Sequence, residues 1–388
     1  MGQHDHTDAR PSGGLINPFA TYPGGNPYPI PTPPSKTSIF PTGAAYFFIP
    51  LNAHHPYMQQ WGLSLERQLG KDWVLDADYL GNKATHFRAG RELDPSIYIP
   101  GTWIGAGSCG SLTVSPGTGK PCSSSANSQQ RRNLSLLNPK TGAYYSSFSF
   151  LDDGVNTNYN ALRLSAKHRF SQNYSLLAVY TYSHCLQDTE TLGNKIAVTE
   201  SNPFNRSADY GPCDYDLRHN FVASVIYSGY KFQNRTVNLF AGQWQTSFVF
   251  ITYNGFPINP LTGSDSSLSG VNLDRPNVVA GASRYLKNTV THQWINPAAF
   301  VPNTGGTFGT ASANSLIGPH FFNVDANLSK VFTTYHEQNF QLRFEFFNLF
   351  NHTNYGLPVN TFSSGTFGQI QVGANSGRII QLGAKYDF

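Results

Sequence analysis

The sequence is short of charge. Asp, Glu, Lys and Arg make up 12% of its 388 residues, against a usual share of about 25%. A water-facing surface normally carries more, so an ordinary soluble exterior fits poorly. The net charge is only +4, and Lys and Arg are scattered, with Arg131 and Arg132 as the adjacent pair. No basic stripe or arm is present for a nucleic-acid partner. Long apolar runs are missing too. The best candidate, AAYFFIPL over 44–51, is interrupted by Pro50 and falls well short of the ~20 residues of a membrane helix. If this chain crosses a membrane, it must do so as a β-barrel, the other way to satisfy every backbone polar group in lipid. Its start, MGQHDHTDARPSGG, is polar and lacks the apolar segment of a secretory signal peptide.

Aromatics and turn formers are plentiful. Phe, Tyr and Trp reach 14%, and there are 36 Gly and 25 Pro. That balance suits many strands joined by long polar loops. Apolar residues recur with period two in nine segments, each near the ~9–11 residues that cross an outer membrane. They are QWGLSLERQL (60–69), WVLDADYLG (73–81), ALRLSAKHRF (161–170), YSLLAVYTYS (174–183), HNFVASVIY (219–227), QWQTSFVFITY (243–253), FFNVDANLSK (321–330), NFQLRFEFF (339–347) and IIQLGAKYDF (379–388). The faces of the sixth are less distinct. In the third, Leu162, Leu164, Ala166 and Phe170 oppose Arg163, Ser165, Lys167 and Arg169.

The connections carry more information than the strands. Short links such as GKD (70–72), SQN (171–173) and TTYHEQ (333–338) alternate with long ones between segments two and three, four and five, six and seven, and eight and nine. That alternation predicts an all-β antiparallel transmembrane barrel with short periplasmic turns and long extracellular loops. A soluble β-sandwich would mix its loop lengths and would not set charges opposite an aromatic face in strand after strand. Asp76, Asp78, Arg163, Lys167, Arg343 and Glu345 are expected to face the lumen, where neighbours neutralise one another across strands. The final strand then runs toward the periplasm. Ile380, Leu382, Ala384, Tyr386 and Phe388 face lipid, and Phe388 sits in the periplasmic aromatic girdle.

Bacterial single-chain barrels use an even number of strands, and nine is odd. Either a tenth strand forms near AAYFFI (44–49) or the chain continues from a missing upstream barrel. On this expectation the Pro-rich region 1–57 is loop or partial strand and 58–388 is the barrel portion.

Chemistry-bearing motifs are few. Cys109 with Cys122 and Cys185 with Cys213 fall in the extracellular loops, where an oxidising compartment favours two disulfides. Swapped connectivities stay open, and the close Cys spacing of a zinc site is lacking. His184, Asp188, Asp214, Asp216 and His219 could converge at one rim as a cation or substrate contact; ordinary solvated loop residues are the competing reading. His4 and His6 form a loose His-x-His. No Ser-His-Asp spacing or G-x-S-x-G elbow points to a hydrolase, and GTWIGAGSCG lacks the Lys and helix of a phosphate loop. The expectation is a non-enzyme without cofactors. Loops such as YNGFPINP and THQWINPAAF pair aromatics with amides, a composition suited to stacking on sugars or similar polar ligands.

RFEFFNLFNHTNYG (343–356), followed by GRIIQLGAKYDF (377–388), resembles the last two strands of TonB-dependent outer-membrane receptors. PYMQQWGLSLERQLGKDWVLDADYLGNKATH, NYNALRLSAKHRFSQNYSLLAVYTYSHC, DYGPCDYDLRHNF, WINPAAF and GPHFFNVDANLSKVF look like the Oar-like branch abundant in Acidobacteria. The resemblance spans nearly the whole chain. It implies a barrel of about 22 strands with an internal plug, energised through TonB to import a scarce small nutrient. It also implies that Leu382, Ala384, Tyr386 and Phe388 form the signal read by the barrel-assembly machinery. Against that pattern the expectation is a partial chain, without the plug, the TonB-contacting segment or the carboxypeptidase-regulatory-like N-terminal domain and with about ten of the strands. The other reading is a self-contained ten-strand channel or surface-structure protein in outer-membrane lipid.

Overall fold

The computed structural model describes residues 3–5, 44–171, 173–189, 200–333 and 338–387. Its body is a 12-stranded sheet. Two short strands, β1 (Gln3–Asp5) and β2 (Ala44–Phe48), precede β3 (Tyr57–Leu69), β4 (Trp73–Glu92), β5 (Tyr145–Ser171) and β6 (Tyr174–Gln187). The bridge-length β7 (Gly211–Pro212), β8 (His219–Ser228) and β9 (Gln245–Tyr253) follow. The loop after β9 holds three two-stranded ribbons. They are β10 (Pro257–Ile258) with β15 (Leu316–Ile317), β11 (Asn277–Val278) with β14 (Phe300–Val301), and β12 (Tyr285–Asn288) with β13 (Gln293–Ile295). β16 (Phe321–Thr333), β17 (Asn339–Phe347) and β18 (Ile379–Asp387) complete the sheet.

The nine segments of alternating residues all become strands, and they pair as one antiparallel meander, β3-β4-β5-β6-β8-β9-β16-β17-β18. Short links lie at one end of the sheet and long loops at the other. Among the described residues β3 and β18 each pair on one side only, so the sheet is an open part of a barrel. β2 does not extend it beyond β3. It runs parallel to the outer end of β5, with Tyr46 beside Phe148, so residues 44–48 form no tenth spanning strand here.

β4 and β5 are longer than the alternation predicts, at 20 and 27 residues. Their pairing runs from Trp73↔His168 to Glu92↔Ser149. A bilayer core is crossed by about 9–11 residues, so this hairpin stands well clear of the membrane on the loop side. Register breaks around Phe87, and His86 takes a left-handed φ of 60°, the pattern of a bulge that turns a strand as it leaves the barrel wall.

Burial is inverted relative to a soluble protein. The buried apolar clusters lie in the loops: Ile258, Ile295, Ala299, Phe300, Leu316 and Phe367 in one, Trp103, Leu112 and the Cys109–Cys122 bridge in another. The sheet leaves its large side chains bare, with Leu63 61%, Leu65 65% and Leu382 75% exposed. Such a continuous apolar face is far larger than the patches soluble monomers expose, and in lipid it needs no protein cover. Trp61 lies against Gly81 across the β3–β4 ladder on this face, where a Cβ would collide with the indole. Among the described residues no helix is long and apolar enough to cross a membrane.

Candidate functional site

Side chains alternate across a strand, so the register assigns every residue to a face. Asp76, Asp78, Arg163, Lys167, Arg343 and Glu345 all fall on the face opposite the bare leucines. Asp78 stands directly across from Arg163, whose Nε and Nη2 donate to Asp78 Oδ2 at 2.9 and 2.7 Å. Ser165 Oγ donates to Asp76 Oδ2 at 2.5 Å. Arg343 lies 3.9 Å from Glu345 one turn of the pleat away. Lys167 sits in the row of Val74 and Leu177, with no carboxylate directly opposite it on either neighbouring strand.

The register also settles the faces of β9. Val249 and Ile251 share the inner face with Leu177, Val179 and Val222. The inner face is therefore polar on its flanks, β3–β5 and β16–β18, and apolar between them. Phe248 and Phe250 face outward with Val225 and Ala223.

Above the sheet the long loops are locked together by buried arginines. Arg131 is fully buried; its Nη1 donates to Ile97 O at 2.7 Å and to Leu268 O at 2.9 Å, and its Nε to Asn127 Oδ1 at 2.9 Å. It thus joins the first long loop to the third. Arg275 joins the third to the second, with Nη1 2.7 Å from Asp209 Oδ1 and Nη2 2.7 Å from Ala208 O. Arg132 approaches Glu92 at 3.4 Å, and Arg91 approaches Glu200 at the same distance. The rigid forks of the buried Arg131, Arg132 and Arg275 spend donors on carbonyls and carboxylates that would otherwise be unsatisfied. The sequence shows Arg131–Arg132 only as the adjacent basic pair; nothing in the local pattern marks it as buried.

Burial moves two loop carboxyls. Glu200 is pushed up from 4.5 to about 7, chiefly by loss of water, against the pull of Arg91. Asp274 rises from 3.8 to about 6 for the same first reason, although Ser267 N–H donates to it at 2.6 Å.

Disulfides join Cys109 to Cys122 and Cys185 to Cys213, with Cα separations of 5.5 and 5.3 Å. The second brings together part of the predicted rim cluster. His184 Nδ1 lies 3.4 Å from Asp216 Oδ2, and Arg218 Nη2 2.9 Å from His184 Nδ1. Asp188 instead accepts from Asn156 N–H at 2.8 Å, and His219 pairs with the Tyr180 hydroxyl at 2.7 Å. The convergence of all five does not form. With Arg218 already on Asp216, the remaining trio is a loop-fixing contact rather than a cation site.

A second cluster, invisible to spacing, joins His54, His86 and Asp153, with donor atoms within 4.8 Å of one another. His54 Nδ1 is 2.9 Å from Asp153 Oδ2, and the imidazoles stack at 4.6 Å with 22° between planes. Stacked rings point their in-plane lone pairs side by side, not at one ion, so this arrangement serves as a clamp on the segment leading into β3.

The concavity best placed to meet an external solute lies among the loops. It holds about 440 Å³ and is lined by Asp214, Asn259, Asn314 and Asn360 with Ile258 and Leu357 among its apolar walls. Its amides are braced: Asn314 Nδ2 donates to Pro212 O and Asn360 Nδ2 to Asn259 O, both at 2.8 Å. A few fixed polar groups on apolar walls is the usual make-up of a small-molecule site. The aromatics of THQWINPAAF are not its platform. Trp294 packs on the loop core and donates Nε1–H to Ile317 O at 2.9 Å, because an amphipathic indole gains more from burial with a bonded N–H than from display. A larger groove of about 690 Å³ is bordered by Leu65, Leu75, Ala77, Leu164, Ala166 and Ala178. It lies on the outward apolar face, where small alanines leave a trough for acyl chains.

At the end of the chain Leu382 and Tyr386 face outward, Ala384 pairs with Leu342, and Lys385 reaches Asp387 at 2.8 Å. Phe388 and His6 lie outside the described residues.

The family model for an outer membrane beta barrel domain matches residues 4–381. No curated protein matches. Solved structures resemble the chain at low similarity, among them two transporters. The outer membrane transporter YddB from Escherichia coli has a TM-score of 0.47 at 9% identity, over 89% of this chain and 34% of that one. The ferric citrate transporter FecA in its unliganded form has a TM-score of 0.35 at 10% identity, over 85% of this chain and 31% of that one. The chain thus spans about a third of the length of either structure.

Proposed function

This chain belongs to the outer-membrane β-barrel domain family, and from that premise we propose that it is the barrel portion of an Oar-like, TonB-dependent receptor that takes up a scarce small nutrient. Its setting is the outer membrane, with the bare leucine face in lipid. The observation that carries the receptor reading is the braced amide cleft among the locked loops, opening on the side where an external solute arrives. The long motifs around RFEFFNLFNHTNYG and the terminal strand supply the link to TonB-dependent receptors. Plug and TonB contact belong to the complete receptor, and barrel-assembly machinery is the partner that installs it. Among the described residues the cleft offers no nucleophile–base pair, so no chemical step is assigned.

Two measurements test this reading. In cells carrying the complete gene, ligand uptake is expected to stop when the TonB complex is inactivated. In a thermal-shift screen of the folded chain against oligosaccharides, metal chelates and amino acids, a stabilising compound is expected whose effect is lost in Asn259→Ala and Asn360→Ala. A steady open conductance of the chain in planar bilayers, with uptake indifferent to TonB, would instead establish a passive channel.

A further inference from the structure

One lysine breaks the rule of the outward face. Along β16, Phe322, Val324, Ala326 and Leu328 face lipid, and the next residue of that parity is Lys330, directly across from Leu342 of β17. It is nonetheless only 4% exposed. Its Nζ donates to Asn238 O and Leu239 O at 2.7 Å and to Gly242 O at 2.6 Å. These are carbonyls of the last turn and cap of a seven-residue helix, Arg235–Ala241, in the β8–β9 connection; Asn238 O also accepts from the capping Gly242 N–H at 3.2 Å. A cation on terminal helix carbonyls satisfies their lone pairs and complements the helix dipole.

The lysine thereby fixes the helix on the outer side of the barrel wall. Its other contacts agree. Lys330 lies 5.7 Å from the Trp244 ring, and Trp244 stands 6.1 Å from outward-facing Phe344 and donates Nε1–H to Phe240 O at 2.8 Å. At the other end Asn234 caps the helix, accepting from Thr236 and Val237 N–H at 2.9 and 3.1 Å. The exposed apolar side chains of the helix are Phe240 (72%), Leu239 (48%) and Val237 (43%); Phe240 and Val237, three residues apart, share one face, and Leu239 falls on the other side beside Arg235, four residues before it. Lys231 and Arg235 are exposed beside them.

We propose that the β8–β9 helix is an interfacial membrane anchor, lying in the phospholipid headgroup region at the short-turn rim, with Phe240 and Val237 toward the acyl chains and Lys231 and Arg235 toward the phosphates. The occupant follows from continuity, because the helix prolongs the lipid-facing surface of β9, β16 and β17 past the ends of the strands. Apolar side chains inward and basic ones at headgroup level is the arrangement that holds a helix in an interface. The inference rests on the outer-membrane setting but not on the transported ligand.

The test uses single-cysteine variants of the full chain, with both disulfides oxidised, folded into phosphatidylethanolamine–phosphatidylglycerol vesicles and labelled with an environment-sensitive nitrobenzoxadiazole dye. Leu63→Cys reports insertion of the sheet. If its label is quenched by aqueous iodide and not by nitroxide lipid, the membrane setting itself fails, and the anchor with it. With that label in lipid, Phe240→Cys is expected to emit to the blue of Gln233→Cys. It should also be quenched by lipid bearing a nitroxide near the headgroup. Adding Lys330→Met to Phe240→Cys is expected to shift emission back to the red while the Leu63→Cys label stays lipid-quenched. Equal iodide quenching at positions 240 and 233, or a blue emission unmoved by Lys330→Met, overturns the proposal.

Discussion

Arg275 Nη1 lies 2.7 Å from Asp209 Oδ1, and neither side chain is more than 5% exposed. The two residues belong to different long loops, so the pair is a rivet between them. Removing one member of a buried pair costs about 3–5 kcal/mol, because the other is left charged and dry. Arg275→Ala is expected to open residues 200–218 and 254–320 to protease and to fast hydrogen exchange, while β5, β6 and β8 keep their protection. Unchanged exchange in those loops would show that the rivet is idle.

The Cys185–Cys213 bridge closes a separation of 28 residues. Loop-closure entropy for such a span is worth about 3–4 kcal/mol. The pair Cys185→Ser and Cys213→Ser should therefore lower the melting temperature of the loop unit. It should also loosen Asp216, whose Oδ1 accepts from Cys185 N–H at 2.8 Å. The barrel strands should keep their heat-modifiable migration on gels.

On the lipid face, Gly81→Val would drive a branched side chain into the Trp61 indole. Overpacking of this kind costs about 1–3 kcal/mol, and β3 has no second neighbour among the described residues to hold it. The expected result is a shift in Trp61 emission and loss of exchange protection confined to β3; intact protection there would refute the packing argument.

The nine spanning strands are legible in the sequence because lipid on one side and a polar interior on the other impose period two, as in Leu63-Ser64-Leu65 and Leu162-Arg163-Leu164. Where that constraint lapses, legibility lapses with it. Phe87 to Glu92 extend β4 beyond the membrane, where ladder bonds alone suffice and no alternation is required. β9 is ambiguous in sequence because Val249 and Ile251 face an apolar stretch of the inner face. The convergence of Arg131 with Leu268 spans 137 residues, and no local pattern encodes a contact made only once three loops have met. Lys330 is a visible exception to its own strand's parity; its meaning requires the helix that it holds.

The buried loop carboxyls make loop stability depend on pH, with a definite sign. Glu200 is raised from 4.5 to about 7 and Asp274 from 3.8 to about 6, in each case first by burial. A carboxyl raised by folding binds its proton more tightly in the folded loops than in the unfolded chain. Its contribution is therefore fully present below the unfolded value and is lost as pH climbs through the folded one. The loops are expected to be most stable below about pH 4 and to weaken progressively up to about pH 7, with little further loss from these two groups. A tenfold gain in proton affinity on folding corresponds to about 1.4 kcal/mol, so Glu200 alone can make the slope measurable. Protease susceptibility of residues 200–218, followed with an acid-tolerant and a neutral protease over a shared pH range, should rise across that window. Glu200→Gln, which cannot ionise but keeps an acceptor for Glu92 N–H at 2.9 Å, should flatten the rise. A slope unchanged in Glu200→Gln would assign the pH response to other groups and leave Glu200 a neutral bystander.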